Sequence, residues 1–205
     1  MLLVIVEYLG TFAFAISGIR LASSKKFDLF GAFVVGFATA VGGGTTRDLL
    51  LGVTPFWLAT PSYLVCTGFA LIFVMIFSQY LIRMENTFFI FDTIGLGLFV
   101  LVGIEKSLAL GHPLWVSIIM GMITGAVGGI IRDILINEEP LIFRKEIYAS
   151  ACILGGIIFG ILHSLQVNVV VIQIATIVTV IVTRIIAVRF RIGLPVLKGE
   201  RKSEP

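Results

Sequence analysis

"AVGGGTTRDLL", residues 40–50, and "AVGGIIRDIL", residues 126–135, decide how this chain is organised. Each sets glycines, an arginine and an aspartate inside an apolar run. Aligning Arg47-Asp48 with Arg132-Asp133 gives an offset of 85 residues that holds without a gap over positions 10–63. Fourteen of those 54 positions are identical, among them Gly10/Gly95, Gly18/Gly103, Gly36/Gly121, Thr39/Thr124, Gly43/Gly128, Gly44/Gly129, Pro55/Pro140 and Tyr63/Tyr148. Two apolar segments share leucines and valines by chance. Gly, Arg, Asp, Pro and Tyr in one register are not obtained that way, so the chain is duplicated internally.

The composition places the duplication in a membrane. Of 205 residues, 58% are hydrophobic and 13% charged, with a mean hydropathy of +1.10. That is too little charge to cover a soluble domain. A helix crossing the hydrocarbon needs about 20 apolar residues. Seven such stretches are present: Leu2–Ala22, Leu29–Gly52, Ser62–Ile82, Phe88–Leu110, Leu114–Ile136, Ile147–Leu165 and Val167–Val188. They are continuously apolar rather than alternating, which predicts helices and not barrel strands. The first lacks a basic leader region, carries Glu7 and adjoins the duplicated part, so it reads as a span rather than a signal peptide.

Three spans per copy is an odd number, so the second copy must enter the membrane from the opposite face. The predicted fold is all-α, with two inverted three-helix repeats (1–86 and 87–166), a seventh helix (167–190) and a basic cytoplasmic tail (191–205). With alternating spans, thirteen of the fifteen basic residues fall on one side, leaving Arg47 and Lys106 on the other. This asymmetry predicts an inner-membrane protein with its N-terminus outside and C-terminus in the cytoplasm. The basic stretch from Arg184 to Lys202 reads as lying against anionic lipid headgroups.

Catalytic signatures are missing: there is no zinc spacing, Walker loop or nucleophile elbow. The chain therefore reads as neither an enzyme nor a cofactor protein, without a nucleic-acid partner or any metal beyond a permeant monovalent cation. Cys66 and Cys152 lie inside spans and read as packing residues. His112 and His163, near span ends, read as interfacial.

Gly36, Thr39, Gly43, Arg47 and Leu50 recur at three- and four-residue steps and share one helical face, as do Gly121, Thr124, Gly128, Arg132 and Leu135. Small residues on such a face allow close helix packing. Three glycines at 42–44 also weaken a helix, by about 1 kcal/mol each relative to Ala, and invite a kink or an unwound turn. Carbonyls freed there, with the hydroxyls of Thr39, Thr45, Thr46 and Thr124, would solvate a cation.

Arg47, Asp48, Arg132 and Asp133 are costly in hydrocarbon unless paired or wet. Adjacent helical residues point about 100° apart and read as poor partners for each other. Two arrangements stay open: pairing across the repeats, or an Arg-Asp unit guarding each mouth of a common pathway. Glu7 and Asp92 match at the same offset and read as acids at the pathway mouths. Tyr63 and Tyr148 read most simply as aromatic-belt anchors.

The paired "GGGTTRD" (42–48) and "GGIIRD" (128–133) in a three-plus-three-plus-one arrangement resemble the prokaryotic branch of the trimeric intracellular cation (TRIC) channel family, over essentially residues 2–188. The resemblance implies a homotrimer with a pore in each protomer, lined by kinked second and fifth spans and passing monovalent cations such as K⁺. By residue matching it implies pore elements Gly42, Gly43, Gly44, Arg47, Asp48, Gly128, Gly129, Arg132 and Asp133. The second copy departs from the first, with Val127, Ile130 and Ile131 in place of Gly42, Thr45 and Thr46; this predicts a narrower, drier cytoplasmic half that could act as a gate. Sequences of this type have also been labelled glycine transporters. The alternative is thus a secondary transporter of a small amino acid, its arginines holding the carboxylate. A purely structural role leaves the matched charges unexplained.

Overall fold

The computed structural model describes residues 2–83, 87–144 and 147–193. These form α1 (Leu2–Ser24), α2 (Leu29–Leu50), α3 (Phe56–Ala59), α4 (Ser62–Ile76), α5 (Ser78–Arg83), α6 (Thr87–Ala109), α7 (Leu114–Leu135), a 3-10 turn (Leu141–Phe143), α8 (Ala149–Ser164) and α9 (Val169–Arg189). Five of them, α1, α2, α6, α7 and α9, are long and apolar enough to cross a membrane. The apolar α4 and α8 are shorter, at 15 and 16 residues. The stretch read as one span from Ser62 to Ile82 is divided at Phe77. Neither Gly nor Pro marks that division, so the sequence carried no signal for it. The tail beyond residue 193 lies outside the described residues.

Local chemistry sets the helix ends. The Asp28 side chain caps α2 by accepting the Gly31 N–H at 2.7 Å, and Asn168 caps α9 through Val170 N–H at 2.9 Å. α2 and α7 both stop on a left-handed residue, Gly52 (φ 69°) and Asn137 (φ 56°). In each case the chain reverses under a bond to the aspartate carbonyl: Val53 N–H to Asp48 O at 2.9 Å, Glu138 N–H to Asp133 O at 2.8 Å. α1 and α6 likewise end at Lys26 (φ 61°) and Gly111 (φ 82°). All these positions correspond at the 85-residue offset.

Packing follows one pattern in both halves. α1 packs on α2 and α4 as α6 packs on α7 and α8; α1 meets α6, α2 meets α7, and α9 covers α6 and α8. Because lipid is as apolar as leucine, such contacts depend on close approach and hydrogen bonds rather than on burial from water. Glycines supply the approach. A methyl at Gly18 would collide with Thr39 and Gly36, and one at Gly103 with Thr124 and Gly121. At the α1–α6 contact, Phe14 fills the space opposite Gly95 and meets Phe99 edge-on at 5.2 Å between centroids. Leu96, Val100, Leu101 and Ile104 of α6 complete a wholly buried centre.

Candidate functional site

The two glycine segments meet where α2 crosses α7. A methyl at Gly43 would overlap the Thr124 carbonyl oxygen, and one at Gly128 would overlap the Thr39 carbonyl oxygen. Both helices run unbroken through these points. This corrects the unwound turn expected from the glycine run: Gly43 and Gly128 serve backbone-to-backbone contact. Gly44 makes room for the Phe56 ring and Gly129 for the Tyr148 hydroxyl, while Ile131 Cδ1 lies over Gly42. The threonine hydroxyls donate one turn back, Thr39 to Val35 O (2.6 Å), Thr124 to Met120 O (2.6 Å), Thr45 to Val41 O (2.7 Å) and Thr46 to Gly42 O (2.9 Å). Thr45 Oγ1 also accepts the Trp57 indole N–H at 2.9 Å.

A charge cluster lies on each side of the crossing. In the first, Arg47 Nε donates to Asp48 Oδ1 at 2.8 Å; Nη2 stands equally close to that oxygen but off the hydrogen-bond direction. Asp48 Oδ2 accepts the Phe56 N–H at 2.9 Å, so this carboxylate caps α3. Lys106, reaching in from α6, brings Nζ to 3.0 Å from Asp48 Oδ1. In the second, Arg132 Nε donates to Asp133 Oδ1 at 2.8 Å, and Asp133 Oδ2 accepts the Leu141 N–H at 3.1 Å. Arg132 Nη1 further donates to Asp92 Oδ1 at 2.5 Å and to Ser17 Oγ of α1 at 2.8 Å. Arg47, Asp48, Arg132 and Asp133 are all buried.

Each arginine thus pairs with the aspartate beside it, contrary to the expectation that such neighbours point too far apart. The 100° between their Cα–Cβ directions is bridged because the long arginine stem curls around the helix. The units are completed across the two halves by other residues, Lys106 for the first and Ser17 for the second.

Glu7 and Asp92 have diverged. Glu7 is half-buried and accepts the Tyr63 hydroxyl at 2.9 Å. Asp92 is wholly buried against Arg132, deeper than a surface acid at a mouth. Tyr63 and Tyr148 are not belt anchors: both are buried, and Tyr148 O–H points to Asp92 Oδ1 at 3.5 Å. A cavity of about 260 Å³ opens beside the second cluster, with Asp133 in its wall and Lys25, Glu138 and Arg144 among its lining. Lys25 Nζ lies 2.5 Å from Glu138 Oε1. Sequence reasoning also missed Arg184, assigned to the tail but buried in α9. Nothing in its neighbourhood in the sequence distinguishes it from Arg189, which is exposed.

A family model described as "Glycine transporter" matches the chain twice, over residues 4–79 and 89–164. In structure, the chain resembles the TRIC trimeric intracellular cation channel orthologue from Rhodobacter sphaeroides with a TM-score of 0.88 and 32% identity, covering 93% of this chain and 99% of that one. The chain belongs to the TRIC family, in its prokaryotic branch. A second TRIC channel, solved to explain conductance, has a TM-score of 0.85 and 36% identity, covering 96% and 98% of the two chains. Among curated relatives, the inner membrane protein YadS of Escherichia coli K12, classed as UPF0126, is 38% identical over 199 residues, covering 95% of this chain and 96% of its own. A UPF0126 membrane protein of Vibrio cholerae is 37% identical over 200 residues, covering 95% and 82%. The TRIC channel of C. elegans, at 14% identity and a TM-score of 0.62, shares the fold. The resemblance read from the paired Gly-Arg-Asp segments is borne out, and this member of the family is a helical membrane protein.

Proposed function

We propose that this chain is a K⁺-permeable monovalent cation channel, a homotrimer with one pathway in each protomer along the α2–α7 crossing. The observation that carries the reading is the placement of a buried carboxylate unit on each side of a glycine-built crossing, in a chain that closely resembles solved cation channels. Two inverted three-helix units, 1–86 and 87–166, with α9 as a seventh span, account for the shared turns and packing. The basic asymmetry places the first cluster toward the outside and the second toward the cytoplasm, with the tail against anionic lipid.

In this reading the second cluster, where Asp92 and Asp133 outnumber Arg132, attracts and partly desolvates the cation, while Asp48 lowers the positive charge of Arg47 and Lys106 in the first. The oxygens of Thr39, Thr45, Thr46 and Thr124 replace part of the cation's water shell, since their protons are already committed to the helix. Arg47 and Arg132 are neutralised by their own aspartates and hold them in place. Gly42, Gly43, Gly44, Gly128 and Gly129 let the two helices move against each other at the crossing. Ile131 over Gly42 is the seal in this closed arrangement, and its withdrawal opens the path. Glu7 serves the outer mouth, and Asp92 tunes the inner cluster through Arg132.

The transporter alternative draws on the name of the matching family model. It needs an arginine free to take a carboxylate, and both candidates are already occupied by aspartates. Single-channel recording in planar bilayers under a KCl gradient tests the proposal. Currents reversing toward the K⁺ equilibrium potential, reduced by Asp48→Asn and Asp133→Asn, are expected. Silent bilayers containing folded protein, with saturable glycine uptake lost in Arg47→Gln, would replace the channel with the transporter.

A further inference from the structure

The helix α9 lies outside the duplicated residues, yet one of its side chains reaches Tyr148, beside the second cluster. Its buried positions Ile172, Thr176, Val180, Arg184 and Ala187 recur every three or four residues and form one face. Neighbouring glycines seat that face. A methyl at Gly155 of α8 would collide with Val180, and one at Gly97 of α6 would press to 3.1 Å on the Ile177 carbonyl. Arg184, one turn beyond Val180, is carried into the interior, where it is 1% exposed.

There its guanidinium lies 4.9 Å from the Tyr148 ring centroid and 5.2 Å from that of Phe89, and Nη1 donates to the Ile147 carbonyl at 3.0 Å. A desolvated guanidinium over an aromatic face is a strong restraint on the ring. The restrained group is one whose position matters. The Tyr148 hydroxyl lies 3.5 Å from Asp92 Oδ1, the outer limit of a hydrogen bond, and that oxygen is the one paired with Arg132. A small tilt of the ring therefore makes or breaks a contact with the buried ion pair. The first cluster is held differently. Tyr63, the counterpart of Tyr148, stacks on Tyr8 at 4.9 Å and meets Phe56 edge-on at 4.5 Å.

We infer that Arg184 is a positioning residue for the ion pathway: through the Tyr148 ring it lets α9 set the Asp92–Arg132 pair, and with it the conductance of one half of the path. The inference rests on the channel reading above. It gives the helix outside the repeat a part in conduction and makes the two halves of the pathway electrically unequal.

The test is the current–voltage relation of the purified protein in planar bilayers with symmetric KCl, for wild type, R184M, R184K, Y148F, the double variant R184M/Y148F and D133N. The readout is the ratio of currents at opposite voltages, which a loss of stability alone would not move. R184M, which removes the cation over the ring, and Y148F, which removes the hydroxyl facing Asp92, are each expected to shift that ratio in the same direction by about threefold, the low end of what a cation–π contact supplies. The double variant should go no further than Y148F alone, and R184K should stay nearer to wild type than R184M. Should R184M fail to fold, R184Q takes its place, since it removes the charge while keeping a donor for the Ile147 carbonyl. A ratio unchanged by removing the charge, or single effects that multiply in the double variant, overturns the role of Arg184. If D133N alters the currents while R184M does not, only this inference fails. If wild type is silent, the channel reading fails and this inference with it.

Discussion

Gly43 of α2 stands directly against the Thr124 carbonyl of α7, with no space for even a methyl group between the two backbones. The reciprocal contact, Gly128 against the Thr39 carbonyl, makes the crossing nearly symmetrical. Everything proposed for conduction is arranged around this point.

Adding a methyl there should be costly. Gly43→Ala and Gly128→Ala are expected to destabilise the folded protein by about 1–3 kcal/mol each through overpacking. Gly68→Ala in α4, where nothing lies within 4 Å of the added atom, should be neutral or gain up to about 1 kcal/mol from helix propensity. Thermal unfolding in detergent compares the three. A Gly43→Ala protein as stable as Gly68→Ala would mean that the crossing is looser than described.

Asp48 has two duties, pairing with Arg47 and capping α3 through the Phe56 N–H. Asp48→Ala removes both and strands the buried Arg47 beside the partly exposed Lys106, for a loss of about 3–5 kcal/mol. Asp48→Asn keeps an acceptor for the cap and should lose less. Asp133, with the Leu141 N–H, should show the same order. Equal unfolding midpoints for the Ala and Asn variants would remove the capping role.

Ile131 occupies the position that Thr46 holds in the first copy, and its Cδ1 covers Gly42. Ile131→Thr should loosen this seal. If closure loses about 1–2 kcal/mol, a low open probability rises roughly 5- to 30-fold. Bilayer recordings measure this directly; an unchanged or lower open probability would place the seal elsewhere.

Lys25 and Glu138 pair at the rim of the cavity beside Asp133. The hydrogen bond from Lys25, and then its charge, hold the Glu138 carboxyl below its ordinary pKa. A depressed folded pKa contributes stability above the unfolded value of about 4.3, lost as pH falls through the folded value. Wild type should therefore be slightly more stable than Glu138→Gln at neutral pH, and the two should converge in acid. High salt should also narrow the gap, since both side chains are about 40% exposed. A gap that persists at low pH would deny the ion pair its part.

Much of the fold was legible because its signals are local or periodic. Apolar run length marked the long helices, and an 85-residue register exposed the duplication down to Gly52 and Asn137, which close the same turn with different residues. The arginines and aspartates at the centre of each cluster were legible, but not their pairing, nor Lys106, Ser17 and Asp92 as their partners. That Arg132 reaches Asp92, Ser17 and Asp133 together depends on how α1, α6 and α7 are stacked, which no spacing along one helix encodes. The tyrosines were misplaced for a related reason. An aromatic at a span end looks the same whether it faces lipid or the hydroxyl-accepting acid of a neighbouring helix.

What the sequence by itself determined is that this is a duplicated, helical membrane chain of the TRIC family with matched glycines and charges. Those conclusions rest on composition and register, which survive any packing. The tertiary structure alone decided what the glycines and arginines do. A glycine run reads identically as a break in a helix or as a seat for a second one, and only the Thr124 carbonyl against Gly43 distinguishes the two. Arg184 likewise reads as one more cytoplasmic charge until the stacking of α9 on α6 and α8 turns it inward over Tyr148.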